Sequence, residues 1–85
     1  MNIIFPDWYD SQLESECESK GSVLNFEVIA GSHKRSFNFY DITRFTQDAK
    51  DEIRQFGYFV DDKAIIIEKV TRKNIEKYLA TLSWD

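Results

Sequence analysis

Apolar and polar positions recur with two different periods along this chain, and each change of period marks an element boundary. In "SVLNFEVIA" and "RSFNFYD" the period is two, which places Leu24, Phe26 and Val28 on one face of a strand and Phe37 and Phe39 on one face of the next. The intervening "GSHK" is short and rich in turn formers, so the pair joins as an antiparallel hairpin. Its reverse face carries Asn25, Glu27, Ser36 and Asn38, with Val23 and Ile29 among them, and is predicted to be mostly wet.

From Asp41 the period becomes helical. Ile42, Phe45, Ala49, Ile53 and Phe56 fall within an arc of about 80° at about 100° per residue. This pattern predicts a helix capped by Asp41, ended by Gly57 and turned with those five residues toward the core. "YFVDDKAIII" then reads as two short strands, or one interrupted strand, around the turn Asp61-Asp62-Lys63. Thr71 caps a last helix whose Ile75, Tyr78, Leu79 and Leu82 share one face, while Arg72, Lys73, Glu76 and Lys77 project into water.

The opening is less regular. Ile3-Ile4-Phe5 is a short strand or extended arm, stopped by Pro6. Tyr9, Leu13 and Cys17 then recur every four residues, the apolar stripe of a first helix that begins with a cap at Asp7 or a Ser11 and Glu14 capping box and stops at Gly21. Together these elements predict one α+β domain over residues 1–85, in the order (β)αββαββα. A largely antiparallel sheet of four to five strands packs against two or three helices, with the helices at 41–56 and 71–82 covering one of its faces.

Composition narrows the class. With 85 residues, 42% hydrophobic and 31% charged, the chain has the make-up of a folded domain with one small core. Its longest apolar run, Ala64 to Ile67, is far below the roughly 20 residues of a membrane span, and no secretory leader pattern opens it, so a cytoplasmic location is expected. The single Cys17 forms no internal disulfide and no thiolate cluster.

The net charge of −4 conceals an asymmetry. Residues 1–19 hold Asp7, Asp10, Glu14, Glu16 and Glu18 and no base, giving −5, whereas residues 20–85 hold ten acids and eleven bases, giving +1. That acidic opening repels nucleic acid and suits a basic protein surface.

Catalytic and cofactor signatures are sparse. One His and one Cys, with no His-x-x-x-His or Cys-x-x-Cys spacing, do not build a zinc site, and Asp61-Asp62 lacks the alternating acids of a calcium loop. Gly21, Gly31 and Gly57 stand alone at element ends, so no phosphate-binding glycine loop is present. His33 lies in a turn and Cys17 on an inward stripe, which leaves no nucleophile beside an oriented base. No cofactor is expected.

The aromatic share of 15% is high, and Trp8, Tyr9, Tyr40, Tyr58 and Trp84 sit at element ends, where such rings serve as contact anchors. These features favour a non-catalytic protein-binding or assembly module. Its docking residues are expected to be Trp8, Tyr9, Asp10, Glu14, Glu18 and Trp84, with a protein partner rather than nucleic acid or membrane, and an open sheet edge favours self-association into a homo-oligomer. The alternative is a ligand-binding domain or enzyme with a site near Tyr40, Asp61, Asp62 and His33.

Overall fold

In the computed structural model, which describes residues 2–84, the chain runs β1 (Ile3–Ile4), α1 (Ser11–Lys20), β2 (Ser22–Ala30), β3 (His33–Tyr40), α2 (Ile42–Phe56), β4 (Ala64–Ile66) and α3 (Arg72–Leu79). Four strands form one sheet in the order β1-β2-β3-β4. The first two pairings are antiparallel and β3 with β4 is parallel, so the α+β class and the largely antiparallel sheet are as expected. Of the two short strands, or one interrupted strand, expected over residues 58–67, the part Ala64–Ile66 forms as β4. Residues 58–60 pair with nothing and run as an extended link from α2 to β4.

A bulge in β2 decides which residues reach the core. Val23 pairs with Phe39 and Phe26 with Phe37, so β2 uses one residue more than β3 over this stretch. Asn25 absorbs the extra residue at φ 54°, a left-handed conformation that Asn tolerates better than most side chains. Its N–H donates to Asn38 Oδ1 at 2.7 Å. Simple alternation fails across the bulge: Val23, not Leu24, joins Phe26 and Val28 in the core, and Leu24 is exposed on the reverse face.

The main core lies on the face of the sheet formed by Val23, Phe26, Val28, Phe37 and Phe39. Tyr9 and Cys17 pack on it from the α1 side, with Tyr9 edge-on to Phe26 at 4.8 Å. Ile75 and Leu79 of α3 are fully buried, and Tyr78 meets Phe37 and Phe39 edge-on. Arg72 lies over the Phe5 ring at 4.3 Å, tying α3 to the opening arm.

α2 is on the other side. Tyr40 follows Phe39 and therefore points to the opposite face, where its ring meets Phe45 of α2 at 5.5 Å. The sheet thus lies between α2 on one face and α1 with α3 on the other, correcting the expectation that α2 and α3 share a face. Parallel pairing of β3 with β4 requires a crossover, and α2 supplies it over the reverse face.

Helix ends follow their caps. Asp10, rather than Asp7 or Ser11, caps α1 by accepting from Leu13 N–H at 2.9 Å. Asp41 caps α2 and Thr71 caps α3 as expected, and the last helix stops at Leu79, short of Leu82.

Candidate functional site

Two places bring chemistry or unsatisfied surface together: a polar network under the α2–β4 link, and the flank of α2 beside β4.

The network centres on Asp61. Its carboxylate accepts from Asn38 Nδ2 at 3.1 and 3.3 Å, from Tyr40 Oη at 3.0 Å and from the Lys63 N–H at 3.0 Å. Burial, and then the hydrogen bond to Asp61, push the Tyr40 hydroxyl from its ordinary 10.0 up to about 12. Of the four residues expected to form an alternative site, Tyr40 and Asp61 are joined, while Asp62 is exposed beside them. His33 is at the other end of β3, about 23 Å away at roughly 3.3 Å per strand residue. Asp61 is held by three donors that fasten the link to β3, and through Asn38 to the β2 bulge. A tyrosine held neutral to about pH 12 and almost wholly buried is a poor proton carrier. This arrangement braces the fold.

The opening segment divides by burial. Tyr9 and Trp84 are in the core, the latter with Arg35 stacked on its ring at 5.4 Å. Burial, with a smaller effect of Glu14, lifts the Tyr9 hydroxyl to about 12. Asp10 is engaged as the α1 cap. Exposed Trp8 stands edge-on to Phe26, and Glu14 and Glu18 lie along α1 without an ion pair among the described residues.

Sequence reasoning placed the apolar stripe of α2 in the core, but the structure leaves much of it in water. α2 is the most amphipathic of the three helices and buries no residue completely. Phe45 packs between Tyr40 and Phe59, at 5.5 and 5.3 Å, and Ala49 is half-buried. Ile42, Ile53 and Phe56 are 63%, 51% and 56% exposed. The helix is rolled toward its polar side. Arg44 pairs with Asp48 at 2.9 Å and reaches the Lys20 carbonyl, and a groove of about 230 Å³ lies between Leu24, Tyr40 and Phe59 and the polar residues Asp48, Asp51, Glu52 and Gln55. That acidic flank borders Leu24 of β2, and by the helical period the apolar stripe extends from Phe45, where α2 meets Tyr40, around the side of the helix away from that groove.

The link adds exposed apolar side chains. Phe59 points inward to Phe45, while its neighbours Tyr58 and Val60 are 66% and 80% exposed. Ile66, on the same face as Tyr40 in the edge strand, is 42% exposed. One signal in the sequence pointed this way: a reverse face reading as wet, with Asn25, Glu27, Ser36 and Asn38, offers a helix little to bury against.

No helix among the described residues is long and apolar enough to cross a membrane. No family model, curated protein or solved structure matches the chain.

Proposed function

We propose that this chain is a non-catalytic protein-binding module whose contact surface is the apolar flank formed by Ile42, Ile53 and Phe56 of α2 with Tyr58, Val60 and Ile66. The observation that carries the reading is that the helix with the clearest apolar stripe buries none of its residues completely. These six large apolar side chains, 42% to 80% exposed, together present on the order of several hundred Å², the scale that marks contact sites on soluble proteins. Aromatic residues at its end, Phe56 and Tyr58, are of the type that anchors interfaces. The occupant expected here is a protein surface with its own apolar face.

A photo-crosslinking amino acid at position 56 is expected to give a protein adduct of defined mass in cells, whereas the same group at Gln12, exposed on α1, gives none. Absence of any adduct through position 56 at native expression would overturn the reading.

A second reading is supported by the exposed Trp8 and by Glu14 and Glu18 of α1: contact of the acidic opening segment with a basic protein surface. It carries the opposite salt dependence, because attraction between exposed charges is screened.

A further inference from the structure

The geometry points to a second copy of this chain as the occupant of the α2 flank, paired across a two-fold axis that joins β4 to β4 and sets the two α2 helices side by side. This rests on the binding reading above and names its partner.

The edge of β4 is open and its hydrogen-bonding groups are directed outward. β4 is the last strand of the sheet, with β3 as its only strand neighbour among the described residues. Asn38 N–H donates to the Lys63 carbonyl at 3.0 Å and Ile67 N–H to the Tyr40 carbonyl at 2.8 Å, so odd-numbered residues of this segment face β3. By alternation the N–H and C=O of Ile66 point away from it, into the open edge. An antiparallel partner centred on Ile66 exchanges both bonds at once.

The same two-fold axis covers the apolar flank. An axis perpendicular to the sheet keeps both α2 helices on the same face, and the pairing brings together their apolar stripes, each on the side of α2 away from the groove at Leu24. A hydrogen-bond row and an apolar stripe on one side of a domain are satisfied together by one self-complementary contact. The six exposed side chains supply most of the roughly 800 Å² per partner of a standard-size interface.

Charge permits the pairing. Residues 42–69 hold five bases and six acids, giving −1, whereas residues 1–19 hold −5. The excess negative charge therefore lies in and around α1, which packs against β2 on the opposite face of the sheet, away from β4. No charged residue falls within the stripe itself, which Lys50 and Arg54 border on one side and Glu52 on the other.

Sedimentation equilibrium of the purified chain tests this. The expected result is a reversible dimer, twice 10.1 kDa, at tens of micromolar protein. Ile53→Glu with Phe56→Glu is expected to weaken it at least about 30-fold with an unchanged thermal melt, since these side chains are half exposed in one copy. Ile66→Pro removes only an outward N–H, which an edge strand tolerates, and is expected to weaken the dimer while the monomer still folds. A dimer insensitive to the helix variants would overturn this surface, and one insensitive only to Ile66→Pro would overturn the strand pairing. A wild-type chain that stays monomeric to high micromolar concentration would overturn the second copy as occupant. In that case an adduct of another mass through position 56 still upholds the binding reading, and no adduct removes both.

Discussion

Two buried tyrosines separate two things that a hydroxyl does in a core. Tyr40 donates to Asp61 at 3.0 Å, whereas Tyr9 Oη is buried with no hydrogen-bond partner among the described residues. At neutral pH, Tyr40→Phe is expected to cost about 1–2 kcal/mol, and Tyr9→Phe to be neutral or to stabilise by about 1 kcal/mol, because an unsatisfied buried hydroxyl is removed. Urea midpoints near pH 7 read this difference. In alkali the two behave alike: each ionises at about 12 when folded against the ordinary 10.0 when unfolded. The raised folded value means that the stability is intact below pH 10 and falls as pH climbs from about 10 to about 12, by up to roughly 2–3 kcal/mol per tyrosine. Either Phe variant should remove about half of that alkaline loss. Tyr9 was legible only in part, since its spacing with Leu13 and Cys17 set it on an apolar stripe while its place at an element end set it among the docking residues, and the meeting of Tyr40 with Asp61 was not legible, since the two are 21 positions apart and no local period links them.

Elements here are joined at their ends as much as through their faces. Gly21 closes α1 at φ 84°, and its carbonyl accepts from the Asp41 N–H at 2.8 Å, so the stop of one helix touches the cap of another. A Cβ at this position meets Asp41 Oδ2 at 2.7 Å. Gly21→Ala is therefore expected to destabilise by about 2 kcal/mol or more, through the left-handed backbone and the displaced α2 cap together, and Asp41→Ala should recover part of that loss in a double-mutant cycle. Helix positions and the caps at Asp41 and Thr71 were readable because they depend on neighbours in sequence, whereas the first helix is capped at Asp10 and not at Asp7 or Ser11. The faces were less so. A helical period shows that α2 has an apolar side but not what lies opposite it, and the crossover to β4 turned that side away from the main core. Likewise period two assigned Leu24 inward because nothing local announces a bulge. The cause lies 13 residues on, where the Asn38 side chain holds the Asn25 N–H.

At the scale of the whole molecule, the acidic opening and the proposed α2 contact are separate surfaces, which makes their contributions to association separable by salt. Copies of a chain with net charge −4 repel each other weakly, and the proposed contact between them is apolar. Screening shortens from about 30 Å at 0.01 M salt to about 3 Å at 1 M. Raising salt across that range is expected to leave the self-association constant unchanged or to tighten it a few-fold, as repulsion fades and apolar burial persists. Contact through Trp8, Glu14 and Glu18 with a basic surface behaves in the opposite way, because its attraction is the screened quantity. Reversal of Glu14 and Glu18 to Lys then adds a second axis to the measurement. For the dimer across β4 it lowers the negative charge far from the contact and should change the association constant little at high salt, whereas for an acid-led contact it abolishes binding at every salt concentration. A self-association that dissolves on adding salt, or that the Glu14 and Glu18 reversal destroys while Phe56→Glu leaves it intact, would move the interface from the α2 flank to α1.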